Sequence, residues 1–231
     1  MNVLKRYLVD FSSLFFPRLC SSCRTDLTPQ EHFLCISCLY NLPVTDFHLH
    51  EGNTIEKIFW GRVKVKAASA FLFFRQKGKV QHMMHQLKYH GNAELGVFLG
   101  KLYGQSLVSQ EAYKNADLLI PVPLHPQKHK KRGYNQSEKI AEGLSSVLNI
   151  PVNNTILKRI KQIGSQVGKS RIDRVESLKE CFLADCPEGK TDKVILIDDT
   201  ITTGSTLEAC VLALNNIGIE NICILSLAYA E

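Results

Sequence analysis

The chain alternates short apolar runs with longer stretches in which apolar residues recur every three or four positions. The first pattern reads as buried strands and the second as helices. A β-like run at 63–74 opens the series, and helical periodicity follows over 79–89 and 94–109. Residues 117–122 predict a second strand, halted by Pro121 and Pro123. A long basic loop is expected over 124–134, a helix over 135–148 and a strand over 155–160. Residues 163–180 are polar and glycine-containing, and read as a loop with a short helix. Strands at 193–197 and 221–228 bracket one more helical pattern (Leu207, Val211, Leu214). Strands alternating with helices predict an α/β domain: a mostly parallel sheet flanked by helices.

The 193–197 strand carries the most information. Val194-Ile195-Leu196-Ile197 runs straight into Asp198-Asp199, then into Thr200-Ile201-Thr202-Thr203-Gly204-Ser205-Thr206. This is a buried strand, a polar loop at its carboxyl end and a helix N-terminus. In open α/β sheets ligands bind there. Backbone N–H groups, hydroxyls and the helix dipole favour an anion at Thr202, Thr203, Gly204, Ser205 and Thr206. Asp198 and Asp199 would repel that anion, so they suit sugar hydroxyls or a metal ion beside it. Ser205 and Glu208 have the spacing of a capping box. A Walker loop is excluded because this block holds no Gly-Lys-Ser/Thr and GxxxxGK[ST] occurs nowhere in the chain, and a dinucleotide site because GxGxxG is missing.

Cysteine spacing adds a second chemistry. Cys20-x2-Cys23 and Cys35-x2-Cys38 are separated by a short polar loop. Two such knuckles supply four thiolates, enough to close a tetrahedral zinc site with no open position. A structural Zn2+ held by Cys20, Cys23, Cys35 and Cys38 is therefore expected, with His32 a weaker substitute. Cys181, Cys186, Cys210 and Cys223 read as reduced packing residues, which points to a reducing cytoplasm. Upstream, residues 2–16 place Leu4, Leu8, Phe11 and Phe15 on one helical face. Asp10 and the absence of a small-residue cleavage site argue against a signal peptide. No apolar run is long enough to span a bilayer. Two units are expected: residues 1–60 as an N-terminal helix with the zinc module, and residues 61–231 as the α/β domain.

The chain has 231 residues and a net charge of +6. Between His125 and Lys179 stand twelve lysines or arginines and four acids, a balance of +8. The rest of the chain sums to −2, and residues 1–60 alone to −1. A polyanionic ligand is the natural partner of the basic segment, either pyrophosphate or single-stranded nucleic acid.

The block from Asp198 to Thr206 resembles the phosphoribosyl pyrophosphate (PRPP) motif of type I phosphoribosyltransferases. Further elements narrow the likeness: Pro121-Val122-Pro123, then Arg132-Gly133-Tyr134-Asn135-Gln136, and Leu87-Lys88-Tyr89-His90-Gly91 with Glu94-Leu95. Gln166, Ser170-Arg171 and Arg174 add another. Together with the zinc knuckles these are similar to the competence protein ComF family. The family's Asn and Arg-Gly after the second arginine are replaced by Ser177, Lys179 and Glu180.

The resemblance implies a PRPP site with Mg2+. Thr202 to Thr206 would hold the 5-phosphate, and Asp198 and Asp199 the ribose hydroxyls and the metal. Lys88, Lys131 and Arg132 would meet the pyrophosphate, and Tyr134, Asn135 and Gln136 would form a substrate loop. Two functions follow from the family: transfer of ribose-5-phosphate to an acceptor, or non-catalytic handling of PRPP and single-stranded DNA in natural transformation beside a helicase partner. A glutamine-hydrolysing activity is not expected, since Cys20 and Cys23 belong to the metal set.

Overall fold

A computed structural model describes residues 17–76, 78–160, 181–187, 189 and 191–230. The expected helix at 2–16 and the loop bearing Gln166, Ser170, Arg171 and Arg174 lie outside these residues. Short helices α1 (Ile36–Tyr40) and α2 (Thr54–Phe59) precede strand β1 (Ala67–Phe74). Then come α3 (Lys79–Tyr89), α4 (Ala93–Leu107), β2 (Leu118–Pro121), α5 (Pro126–Arg132) and α6 (Gln136–Leu148). The small strands β3 (Leu157–Arg159) and β4 (Phe182–Ala184) lead to β5 (Lys193–Ile201), α7 (Ser205–Asn215) and β6 (Asn221–Ala230).

Four strands form a parallel sheet in the order β1-β6-β5-β2. β5 is an inner strand, paired along its length with β6 from Lys193–Asn221 to Ile201–Tyr229. Its continuous apolar run follows from burial on both faces. Ile195, Ile197, Cys223 and Leu225 point into one core with Leu87, Leu99, Tyr103 and Leu144 from α3, α4 and α6. Val194, Leu196, Ile222 and Ile224 point into the other with Ile55 and Phe59 of α2 and Leu207, Cys210 and Val211 of α7. Cys20, Leu34 and Cys38 join the first core.

Both sheet edges are covered. Against β1, Thr45 N donates to Phe71 O at 3.0 Å and Phe73 N to Pro43 O at 2.8 Å. Beside β2, Leu119 N donates to Pro151 O at 2.8 Å and Asn153 N to Leu119 O at 2.9 Å. Pro121 sits at the last position of β2, where a missing N–H is tolerated.

Helices α4 and α6 meet backbone to backbone. A Cβ on Gly100 would lie 2.3 Å from Ile140 O, and one on Gly143 would lie 2.2 Å from Val97 O. Only glycine allows that approach. The crossing matters for function because α6 begins at Asn135–Ser137 and α4 follows Lys88 by a short turn. It fixes these two ends relative to β5.

The structure corrects three expectations. The basic stretch at 124–134 is not a long loop: Pro126–Arg132 is helical, started by Pro126 and by His125 Nδ1, which accepts from Gln127 N at 3.2 Å. It stops at Gly133, whose φ of +82° suits glycine. The apolar run at 63–74 forms a strand only from Ala67, and β5 runs past the expected Ile197 to Ile201.

Candidate functional site

The site is built at the carboxyl end of β5. Because β5 extends to Ile201, Asp198, Asp199 and Thr200 are strand residues with fixed directions. Asp198 pairs in register with Ser226 of β6. Asp199 N donates to Asp198 Oδ1 at 2.8 Å, and Ser137 Oγ donates to the same oxygen at 3.3 Å. Lys88 arrives from the last turn of α3. Its Nζ lies 3.1 Å from Asp199 Oδ1 and 3.3 Å from Thr200 Oγ1. Two acids, one lysine and two hydroxyls thus meet from α3, α6 and β5.

The acid pair is electrostatically loaded. Desolvation, and then the adjacent Asp199 charge, push the Asp198 carboxyl up to about 7. The Asp199 N–H, Lys88 and Ser137 pull in the other direction. A cation or several hydroxyl donors delivered to this pair would relieve it.

Next to the acids, Thr202, Thr203, Gly204, Ser205 and Thr206 line a small cleft together with Asp198. Gly204 is the N-cap of α7, with φ +72°. A Cβ there would meet Ile58 Cγ2 at 2.7 Å and Phe59 Cε1 at 3.1 Å. Helix α2 therefore presses on the loop, and only glycine fits. Thr203 Oγ1 and Ser205 Oγ are 3.0 Å apart. The Ser205–Glu208 capping box does not form: Glu208 N donates to Gly204 O, and its carboxylate pairs with Arg62. A charge-assisted, partly buried ion pair is the stronger competitor for that carboxylate.

The Arg132-to-Gln136 element is a junction between helices. Arg132 stacks its guanidinium over the Tyr89 ring at 5.4 Å and donates to Gln136 Oε1 at 2.7 Å. The Tyr134 hydroxyl donates to Leu87 O, tying it to α3 one residue before Lys88. Asn135 caps α6, accepting from Ser137 N at 3.1 Å, and donates to Val122 O at 3.0 Å. Asn135 and Gln136 are buried, so their side chains are committed within the fold. Lys131 is exposed on α5, beside Lys128 and Lys130.

A phosphoribosyl transferase domain model matches residues 135–230, which contain Ser137, both aspartates and the loop. DNA utilization protein YhgH of Shigella flexneri is 30% identical over 208 residues, covering 86% of this chain and 85% of that protein. Competence protein F of Haemophilus influenzae is 40% identical over 119 residues, 51% of this chain. The chain belongs to the ComF family of phosphoribosyltransferase-fold proteins. The match spans only 52% of the Haemophilus relative. Among solved structures, the glutamine PRPP amidotransferase from B. subtilis gives a TM-score of 0.41 at 21% identity, over 62% of this chain and 30% of that one. At that level the likeness says nothing about ligands.

In this ComF-family chain the four cysteines also converge. One ligand atom each from Cys20, Cys23, Cys35 and Cys38 lies within 4.8 Å of the others. The first knuckle is a tight turn: Cys20 N donates to Thr25 O at 2.8 Å and Arg24 N to Cys20 O at 2.9 Å, with Arg24 at φ +64°. Cys35 opens α1 and its N–H points to Cys20 Sγ at 3.3 Å. Four sulfurs in this arrangement fit a soft, tetrahedral ion such as zinc. Among the described residues no helix is long and apolar enough to cross a membrane.

Sequence reasoning missed Ser137, Thr200, Arg62 and α2 as parts of the site. Glu208 was a readable clue. It is an acid on an otherwise apolar stripe of α7, and a buried carboxylate needs a partner.

Proposed function

We propose that this protein binds PRPP with Mg2+ at the end of β5 and transfers its ribose-5-phosphate to an acceptor. One observation carries the reading: Lys88 bridges to Asp199 and Thr200 while Ser137 reaches Asp198, all beside the open Thr202–Thr206 cleft. A sugar with two hydroxyls, a 5-phosphate on one side and a pyrophosphate on the other matches that order of groups. The loop holds the 5-phosphate through N–H groups and hydroxyls. Asp198 and Asp199 accept the ribose hydroxyls and favour positive charge developing at C1. Lys88, Arg132 and Lys131 meet the pyrophosphate as its bond to C1 breaks. The acceptor's nucleophile then bonds to C1 from the opposite face, with inversion, and loses its proton. Mg2+ would offset charge on the leaving pyrophosphate, and the two aspartates offer the oxygen ligands it prefers.

Titration calorimetry of PRPP with and without Mg2+ tests the site, and pyrophosphate release against a panel of bases and amines tests turnover. Asp198→Ala and Asp199→Ala are expected to abolish Mg2+-dependent binding. Unchanged binding in both variants overturns the proposal.

A second reading has its own support. Helix α5 exposes Lys128, Lys130 and Lys131, and two relatives are named for competence and DNA utilization. A non-catalytic PRPP- and single-strand-binding role in the cytoplasm, beside a helicase partner, fits that face. Zinc at the four cysteines is structural in either reading, with residues 1–60 a module mounted on the 61–231 domain.

A further inference from the structure

The Thr202–Thr206 loop is held from behind by a residue outside it. Arg62, just after α2, donates Nη1 to Thr203 O at 2.7 Å and to Ile58 O at 3.0 Å. Its Nη2 reaches Ser205 Oγ at 3.4 Å, and its Nε donates to Glu208 Oε2 at 3.0 Å. Nη2 also pairs with that carboxylate. The Glu208 side chain is 9% exposed, and that of Arg62 is 26% exposed.

Glu208 poses a problem for any anion in the cleft. It sits in the first turn of α7, the turn whose N–H groups and dipole would attract a phosphate. An unpaired carboxylate there competes for the same field and repels a dianion at short range and low dielectric. Arg62 resolves both matters. Its charge cancels that of Glu208, and its fork turns the Thr203 carbonyl onto itself. A planar five-donor group can serve carboxylate and carbonyls together; a lysine cannot.

We infer that Arg62 is a positioning residue for a phosphomonoester in the Thr202–Thr206 loop, acting by cancelling Glu208 and fixing the Thr203 carbonyl. It acts through the loop and does not touch the ligand. The inference rests on the proposed PRPP reading, in which the 5-phosphate lies in this loop and the pyrophosphate lies by Lys88.

That division supplies the test. Affinities of the full-length, zinc-loaded protein are measured for ribose 5-phosphate, PRPP and pyrophosphate with Mg2+. Arg62→Met is expected to weaken ribose 5-phosphate and PRPP about tenfold while pyrophosphate changes less than about twofold. Arg62→Lys should fall between. The double variant Arg62→Met/Glu208→Gln should regain about threefold over Arg62→Met, because the uncompensated charge is gone. Glu208→Gln alone, with Arg62 still free to hold Thr203 O, should bind ribose 5-phosphate at least as well as wild type. The inference is overturned if Arg62→Met weakens all three ligands alike, if the double variant is no better than the single, or if Glu208→Gln weakens binding as Arg62→Met does. A wild-type protein that binds neither ribose 5-phosphate nor PRPP overturns the PRPP reading itself.

Discussion

The cysteine cluster and the aspartate pair both crowd acidic groups together, and the fold balances them differently. At the knuckles, a tight turn at Cys20–Thr25 and the first turn of α1 bring four sulfurs within 4.8 Å, with the Cys35 N–H and the Thr25 hydroxyl at the rim. Zinc would supply the missing charge. At β5, the carboxylates have an internal counter-ion in Lys88, a backbone N–H and Ser137, yet Asp198 is still pushed up to about 7. A metal ion held by the four cysteines would close the first cluster. The second is left partly uncompensated beside an open cleft, which is how a ligand site differs from a structural one.

Stripping the metal should disturb this balance most severely. Cys20 and Cys38 are part of the core shared with Leu72, Met83 and Leu87. Chelation, or Cys38→Ser, should lower Tm by about 10 °C or more, with one zinc per chain removed by elemental analysis. An unchanged Tm after complete chelation means that the knuckles hold without a metal.

Next in size is Gly204→Val. The side chain enters a positive-φ position and meets Ile58 and Phe59. A loss of about 2–4 kcal/mol is expected in denaturant unfolding. A loss below about 1 kcal/mol would show that the loop shifts freely off α2.

Asp198→Asn probes the uncompensated cluster through pH. The folded-state pKa of Asp198 lies above its unfolded value of 3.8, at about 7. The folded protein therefore keeps a proton that the unfolded chain loses, and this carboxyl costs stability as pH rises from 4 to 7. The asparagine variant should be more stable than wild type at pH 8, with the gap closing near pH 4. A gap independent of pH, read by thermal melts across that range, removes the electrostatic account. The same variant should lose Mg2+-dependent PRPP binding, stability and function moving in opposite directions.

The smallest effect on stability is expected on α5. Replacing Lys128, Lys130 and Lys131 with glutamine should change stability by less than about 0.5 kcal/mol. Single-stranded DNA affinity should fall, and its salt slope should drop by about 0.7 for each phosphate that is no longer neutralised. No change in that slope removes α5 as the DNA face.

Much of the site was legible because its residues are consecutive. Val194 to Thr206 spell strand, acids, loop and helix in order, and the cysteine knuckles are defined by spacing alone. The α3 boundaries at Lys79 and Tyr89 follow from period and a following glycine. The 124–134 segment misled because lysines dominate it and hide its length; the Pro126 start and Gly133 stop were the better signals. Arg62 and Glu208 lie 146 positions apart, and no local pattern joins them.

Most of the elements, the acid pair, the Thr202–Thr206 loop and the four clustered cysteines are written in the order of residues along the chain. Each depends on near neighbours: side-chain period, turn chemistry, ligand spacing. Which distant groups meet those elements was settled by packing in three dimensions. The Gly100–Gly143 crossing brings α4 and α6 into backbone contact, and Lys88, just before α4, and Ser137, in the first turn of α6, converge on the acids. Packing of α2 on Gly204 sets Arg62 behind the loop. Close packing across the sheet, rather than local preference, completes the site.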